Sequence, residues 1–273
     1  IDMETVVESI TGSVSDKRES AKPVTVKVDR GKEPLLKVED LHFGKKVRGV
    51  SFELYPGEVL GIAGLIGSGR TELLETIFGI NRYEKGRIFF KGREAAKLTP
   101  ERALQHGVIL IPDERQLKGL ILPHTIMNNI ALHVLERIKS GLFTSNKKSR
   151  EIANKLAKDL KIVSQGVDVP VSSLSGGNQQ KVVFSRTFAR GSTILLLDDP
   201  TLGIDVETKL EIGKMIKKYV SHGENAAILV SSELEVIAGI CSRVLVLKGG
   251  KIVHELINDE ENVITEGNLV TLV

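Results

Sequence analysis

Short apolar runs separated by segments of helical period dominate the chain. Val59-Leu60-Gly61-Ile62-Ala63, Val108-Ile109-Leu110-Ile111, Ile194-Leu195-Leu196-Leu197 and Ala226-Ala227-Ile228-Leu229-Val230 are continuous and apolar. Runs of that length predict strands buried on both faces. Residues 71–78, 125–138, 147–161 and 206–221 place apolar side chains three and four apart among charges, and so does the stretch after Gly177 to about Ala189. That spacing predicts helices. Thr99-Pro100-Glu101 marks another helix start, with proline in the first turn where its missing N–H costs nothing. Strands alternating with helices predict an α/β fold with a largely parallel sheet. A second pattern precedes it. Leu36–Leu41 and Val50–Leu54 alternate apolar with polar, which predicts a small antiparallel sheet beside the first. Arg87–Lys91, bounded by Gly86 and Gly92, is a further strand. Val244–Leu247, Gly249-Gly250 and Lys251–Val253 predict a closing hairpin.

Before Leu35 the pattern changes. Thr11 to Pro34 is polar and aperiodic, as a linker is, and Met3–Ile10 before it has the character of a helix tail. The expected organisation is therefore a preceding segment and linker over 1–34, a globular domain over 35–258 and a tail over 259–273. Residues about 113–190 of the globular domain are mostly helical. The start, Ile1-Asp2-Met3-Glu4, is acidic and lacks the basic region of a secretory leader. With no Met at position 1, it reads as a cut from a longer chain.

Composition narrows the partners. At 41% hydrophobic and 27% charged, the chain can bury a sizeable core. Its 38 basic and 35 acidic residues give a net charge of +3, too small an excess to indicate nucleic acid. Aromatic residues make up 4% with no Trp, so base-stacking platforms are not expected. No apolar run approaches the ~20 residues of a spanning helix. The one cysteine, Cys241, can form neither an internal disulfide nor a zinc cluster, and reads as a small buried hydrophobe. The six histidines show no metal-ligand spacing.

Three segments carry chemistry. Gly64-Leu65-Ile66-Gly67-Ser68-Gly69-Arg70-Thr71 follows a buried strand and opens a helix. In that context glycines let backbone N–H groups surround phosphate oxygens at a helix N-terminus, and Thr71 can place its hydroxyl on Mg²⁺. Arg70 stands where the pattern usually has Lys; its planar fork can neutralise phosphate without fitting as a compact ammonium does. About 110 residues later, Leu174-Ser175-Gly176-Gly177-Asn178-Gln179-Gln180 offers a hydroxyl and exposed N–H groups, again at a helix start. The strand Ile194–Leu197 then ends in Asp198-Asp199. Asp198 is placed to hold Mg²⁺ at the carboxyl edge of the sheet, and Asp199 to orient or deprotonate an attacking water. Pro200–Asp205 follows as a loop whose last residue suits both a contact with a neighbour and an N-cap.

In this order and spacing the segments resemble the nucleotide-binding domain of ABC transporters, over roughly Leu35 to Ile257. The GLIGSGRTE loop with LSGGNQQKV resembles more narrowly the second ATPase domain of the tandem ATPases that serve bacterial importers of ribose, galactose, arabinose and xylose. The resemblance implies a P-loop NTPase α/β fold with a helical subdomain and a small antiparallel β-subdomain. It implies ATP and Mg²⁺ as cofactors. The ATP would be held by Gly64, Ile66, Gly67, Ser68, Gly69, Arg70 and Thr71, and Phe43 would stack on adenine. Ser175, Gly176, Gly177 and Asp205 would face a companion domain in a head-to-tail pair. It further implies contact with permease subunits through Leu120–Ile130, an extracytoplasmic sugar-binding protein as indirect partner, and a place on the cytoplasmic side of the membrane.

Four positions depart from the common ABC pattern. Arg70 replaces Lys and Asp199 replaces Glu. Asp113, the expected third contributor at the metal, falls where Gln is usual. Ser232 falls at the switch His and, unlike His, carries no proton near neutral pH. The signature side is unaltered. The expectation is an ATPase module whose own site turns over weakly, while its signature completes the companion's site. The alternative is a nucleotide-dependent binding module that does not hydrolyse. Soluble relatives acting on DNA or ribosomes share these motifs, but charge balance and scarce aromatics argue against that class.

Overall fold

In the computed structural model, which describes residues 30–140, 143–259 and 262–273, the four apolar runs become neighbours in one six-stranded sheet. The helix tail expected at 3–10 and the linker up to residue 29 lie outside the described residues. Two compact units are distinguished: residues 111–192 with 203–212, and the remaining described residues.

The larger unit holds both major sheets. In the first, β1 (Leu36–Phe43) pairs antiparallel with β2 (Val47–Leu54) and with β4 (Lys85–Phe90), which pairs with β5 (Arg93–Glu94). Alternation puts Leu36, Val38, Val50, Phe52, Leu54 and Ile88 on the buried face, as period two requires, and a register shift after Val38 resets the alternation so that Leu41 is buried too. The second sheet has the order β12-β11-β3-β10-β9-β6. Its strands are β3 (Val59–Ala63), β6 (Val108–Ile111), β9 (Ile194–Asp198), β10 (Ala226–Val230), β11 (Arg243–Lys248) and β12 (Lys251–Ile257). Strands β11, β3, β10 and β9 run parallel, and β12 closes the edge antiparallel to β11. Every residue of β3, β9 and β10 is buried, which explains why these strands are continuous apolar runs without alternation. Helix α1 (Arg70–Phe78) follows β3 and stops at Gly79, whose φ of 85° suits a left-handed cap. Helix α2 (Pro100–Gln105) is capped by Thr99, whose side chain accepts from Arg102 N.

The smaller unit is helical: α3 (Ile126–Ala131), α4 (Leu135–Ile138), α5 (Asn146–Asp159) and α6 (Gly176–Arg190), with a short pair β7 (Lys139–Ser140) and β8 (Phe143–Thr144). Helices α7 (Val206–Val220), α8 (Leu234–Ile240) and α9 (Glu266–Val270) complete the chain. The periodicity over 125–138 predicts one helix, and the structure has two. The break frees side chains for tertiary bonds: His133 Nδ1 with Arg186 O at 3.2 Å, and Arg137 with Ala189 O and Arg190 O, both at 3.0 Å. Arg115–Gly119 forms a π-helical turn that no periodicity announces.

His133 has a consequence for stability. Its Nε2 accepts from Arg186 Nη2 at 3.0 Å, so both ring nitrogens are satisfied only in the neutral ring. Burial, then the Arg186 and Arg190 charges, push its pKa down to about 4. The unfolded ring titrates near its ordinary 6.5. Between those values the unfolded state binds the extra proton. Stability is therefore full above pH 6.5 and falls as the pH drops towards 4, by roughly 1.4 kcal/mol per unit at most. Urea unfolding from pH 7 to 4 should show this slope, and His133→Asn should flatten it.

Candidate nucleotide-binding site

Strands β3, β10 and β9 are parallel neighbours, so their carboxyl ends share one edge of the sheet. The glycine loop leaves β3, Ser231-Ser232 leave β10, and Asp198-Asp199 end β9. Sequence places these groups on three distant segments, and the sheet order brings them to one edge, where open α/β sheets hold ligands.

The loop from Gly64 to Gly69 is built for close backbone approach. Gly67 and Gly69 have φ of 84° and 105°, which only glycine adopts without strain. A Cβ on Gly64 would lie 2.4 Å from Leu247 O. Ser68 is buried, and its Oγ has no hydrogen-bond partner among the described residues. Thr71 is half-buried in the first turn of α1. A glycine cradle with an orphaned buried hydroxyl fits a phosphate group. Leu65 and Ile66 turn outwards, Ile66 being 92% exposed.

Arg70 is not exposed. Its guanidinium is buried, and Nη1 donates to Ser231 O at 2.7 Å. Asp198 is buried at the end of β9. Asp199 has φ of 42°, an uncommon left-handed conformation for a residue with a side chain. Its N–H donates to Val230 O at 3.0 Å, and its Oδ1 accepts from Ser232 N at 2.6 Å and Ser232 Oγ at 3.0 Å. The short carboxylate is thus folded back onto the turn after β10. Arg70 and Asp199 grip adjacent residues of that turn, so loop, acid and switch position form one connected network. Phe43 ends β1, partly buried against the core.

In the helical unit, Ser175 caps α6: its Oγ accepts from Asn178 N at 3.4 Å and Asn178 Nδ2 at 2.9 Å. Asp205 is an N-cap as well, accepting from Thr208 N and Thr208 Oγ1, both at 2.9 Å. The Thr208 N–H holds its carboxyl below the usual range. The two caps adjoin, since a Cβ on Gly177 would lie 2.8 Å from Thr208 Cγ2. Asp113 lies in this unit too, its Oδ1 accepting from Glu114 N at 2.8 Å and Lys118 Nζ at 3.2 Å.

Two cationic residues here escape sequence reasoning. Lys46 Nζ donates to Gly67 O at 2.9 Å. Arg115 covers the signature glycine, its Nη2 standing 2.7 Å from where a Cβ of Gly176 would be. Both contacts join segments far apart in the chain, so no local pattern marks them.

Among the described residues no helix is long and apolar enough to cross a membrane. A family model described as ABC transporter matches residues 47–202. The ribose import ATP-binding protein RbsA of Geobacillus kaustophilus is 39% identical over 93% of this chain and 50% of that protein. A second ribose import ATP-binding protein, from Rubrobacter xylanophilus, is 43% identical over 84% of this chain and 44% of its own length. A putative ribose/galactose/methyl galactoside import ATP-binding protein of Rhizobium meliloti is 39% identical over 88% and 47%. The chain thus spans about half the length of the curated relatives it matches. Among solved structures, the post-hydrolysis dimer of the ATP-binding cassette MJ0796 superposes with a TM-score of 0.70 at 21% identity, covering 81% of this chain and 98% of that one. The ADP conformation of the cassette MJ1267 gives 0.71 at 21% identity, covering 88% and 98%. These likenesses carry the fold, and the family model and the sequence relatives carry more: the chain belongs to the ABC transporter family, as an ATP-binding domain.

Proposed function

We propose that this chain is the second of two ATP-binding domains in the ATPase of a monosaccharide importer, working with permease subunits on the cytoplasmic face of the membrane and, through them, with an extracytoplasmic sugar-binding protein. The relatives' names, and the half of each that the chain spans, support the pairing. The loop Gly64–Thr71 holds ATP, with Thr71 and Asp198 as Mg²⁺ partners and Phe43 against the adenine. Binding of ATP with Mg²⁺ favours closure of the pair, and cleavage of its phosphoanhydride at the completed site allows reopening.

Labour within the pair is unequal. The observation that carries this is the engagement of Asp199 with Ser232. The Oδ1 oxygen of Asp199, already accepting two bonds from the turn after β10, is withdrawn from a water. Asp is also one methylene shorter than Glu, and a misplacement of about 1 Å costs about a hundredfold in rate. Ser232 has no imidazole to orient that water. The domain therefore retains nucleotide with little turnover, while Ser175, Gly176 and Gly177, with Asp205 beside them, complete the companion's site.

The test is turnover by this chain alone and mixed with a companion domain. Alone, hydrolysis should be near background; mixed, it should rise. Ser175→Arg here should remove the increase, by on the order of a hundredfold, and leave nucleotide binding to this chain intact. Brisk hydrolysis by the isolated chain at low concentration would overturn the proposal.

A further inference from the structure

Lys46 sits in the turn between β1 and β2, and that turn rests on the phosphate loop. A Cβ on Gly69 would lie 1.9 Å from Lys46 O, and one on Gly250 2.7 Å from the same oxygen. Gly250 N in turn donates to Ser68 O at 3.0 Å, and Arg48 N to Gly250 O at 2.8 Å. Two bare glycines thus wedge the Lys46 backbone between the start of α1 and the β11–β12 hairpin. The side chain runs along the loop rather than out into solvent, with its ammonium on Gly67 O at 2.9 Å and Glu72 Oε1 at 3.9 Å. It remains 45% exposed, so it can move.

The cation expected of this loop, Arg70, is buried and bound to Ser231 O. A polyphosphate needs a compensating charge at the loop. We propose that Lys46 is the cation this domain presents to the phosphates of its nucleotide, in the role that the sequence pattern assigns to position 70, where this chain has Arg70. The inference rests on the reading that the loop holds nucleotide. Its chemistry is simple. A neutral carbonyl is a weaker acceptor for an ammonium than a phosphate oxygen is, so Lys46 exchanges Gly67 O for the ligand. A flexible four-carbon stem permits the swing that a planar guanidinium locked to β10 does not.

Equilibrium binding of ATP and ADP to the full chain tests this, at low and high salt. Lys46→Met keeps the stem and removes the charge, and should weaken binding about tenfold with a shallower salt dependence. Lys46→Arg should restore most of it. Lys45→Met, one residue away on the exposed turn, should bind as the unsubstituted chain does, which separates a local contact from a general loss of charge. Thermal unfolding without nucleotide should be alike for all three. If the unsubstituted chain binds ATP and Lys46→Met binds equally well, the proposal is overturned and the nucleotide reading stands. If the unsubstituted chain does not bind ATP, both fall.

Discussion

Gly69→Ala is expected to weaken nucleotide binding about a hundredfold while the chain still folds. Two independent obstacles meet at this residue. Its φ of 105° caps α1 in the left-handed region, and holding an L side chain there costs about 1–2 kcal/mol. The added methyl would also stand 1.9 Å from the carbonyl oxygen of Lys46. That oxygen is backbone, wedged against Gly250 as well, so it cannot give way by a rotamer change. The loop itself must shift, by more than 1 Å, and the shift falls on N–H groups whose directions define the phosphate cradle. Neither obstacle touches the central strands, so the fold survives. Gly239→Ala is the matched control. Gly239 lies in α8 with nothing within 4 Å of an added Cβ. That change should leave affinity untouched and raise stability by roughly 0.5–1 kcal/mol. Affinity of Gly69→Ala equal to that of the unsubstituted chain would mean that nucleotide is not held by this loop.

What the sequence made legible follows from what local pattern can encode. β3, β9 and β10 are buried on both faces, and burial of that kind leaves a continuous apolar run. The starts of α2 and α6 were visible because Thr99 and Ser175 are capping residues placed just before helical spacing begins. Other features have no local signature. Nothing local shows that the sheet order sets β10 beside β3 and gives Arg70 the Ser231 carbonyl as a partner. Asp199 reads as a free carboxylate until Ser232 arrives from the turn after β10, 33 residues on. The helix expected over 125–138 breaks because His133 and Arg137 find better partners on α6. In each case a bond between distant segments overrides the local preference. Residue identities name the chemistry, and the topology decides which group is available to perform it.

The largest stability effect is expected not at the phosphate loop but at Glu58, the residue before β3. Glu58 is fully buried, and Arg243, at the start of β11, is nearly so. Arg243 Nε donates to Glu58 Oε1 at 2.6 Å, Glu58 Oε2 accepts from Tyr55 N at 2.8 Å, and the guanidinium also reaches Glu53 O and Glu255. Removing one member of such a pair strands the other charge in a dry environment, which costs about 3–5 kcal/mol. Glu58→Ala should lower the melting temperature by about 6–20 °C, taking roughly 2–4 °C per kcal/mol for a chain of this size. The half-exposed Glu255 is a weaker partner, and Glu255→Gln should cost less than about 1 kcal/mol. The decisive comparison is the double change Glu58→Leu with Arg243→Met. Replacing both ions by apolar groups removes the desolvation penalty along with the attraction, so the double variant should be more stable than either single one. A thermodynamic cycle by urea unfolding isolates the coupling. Additive losses would mean that the two residues act separately. Strong coupling would mean that the pair pins the entry of β3 to the entry of its parallel neighbour β11. It would then also fix where β3 delivers the phosphate loop, so at equal occupancy of the folded state the single variants should bind nucleotide less tightly than the double one.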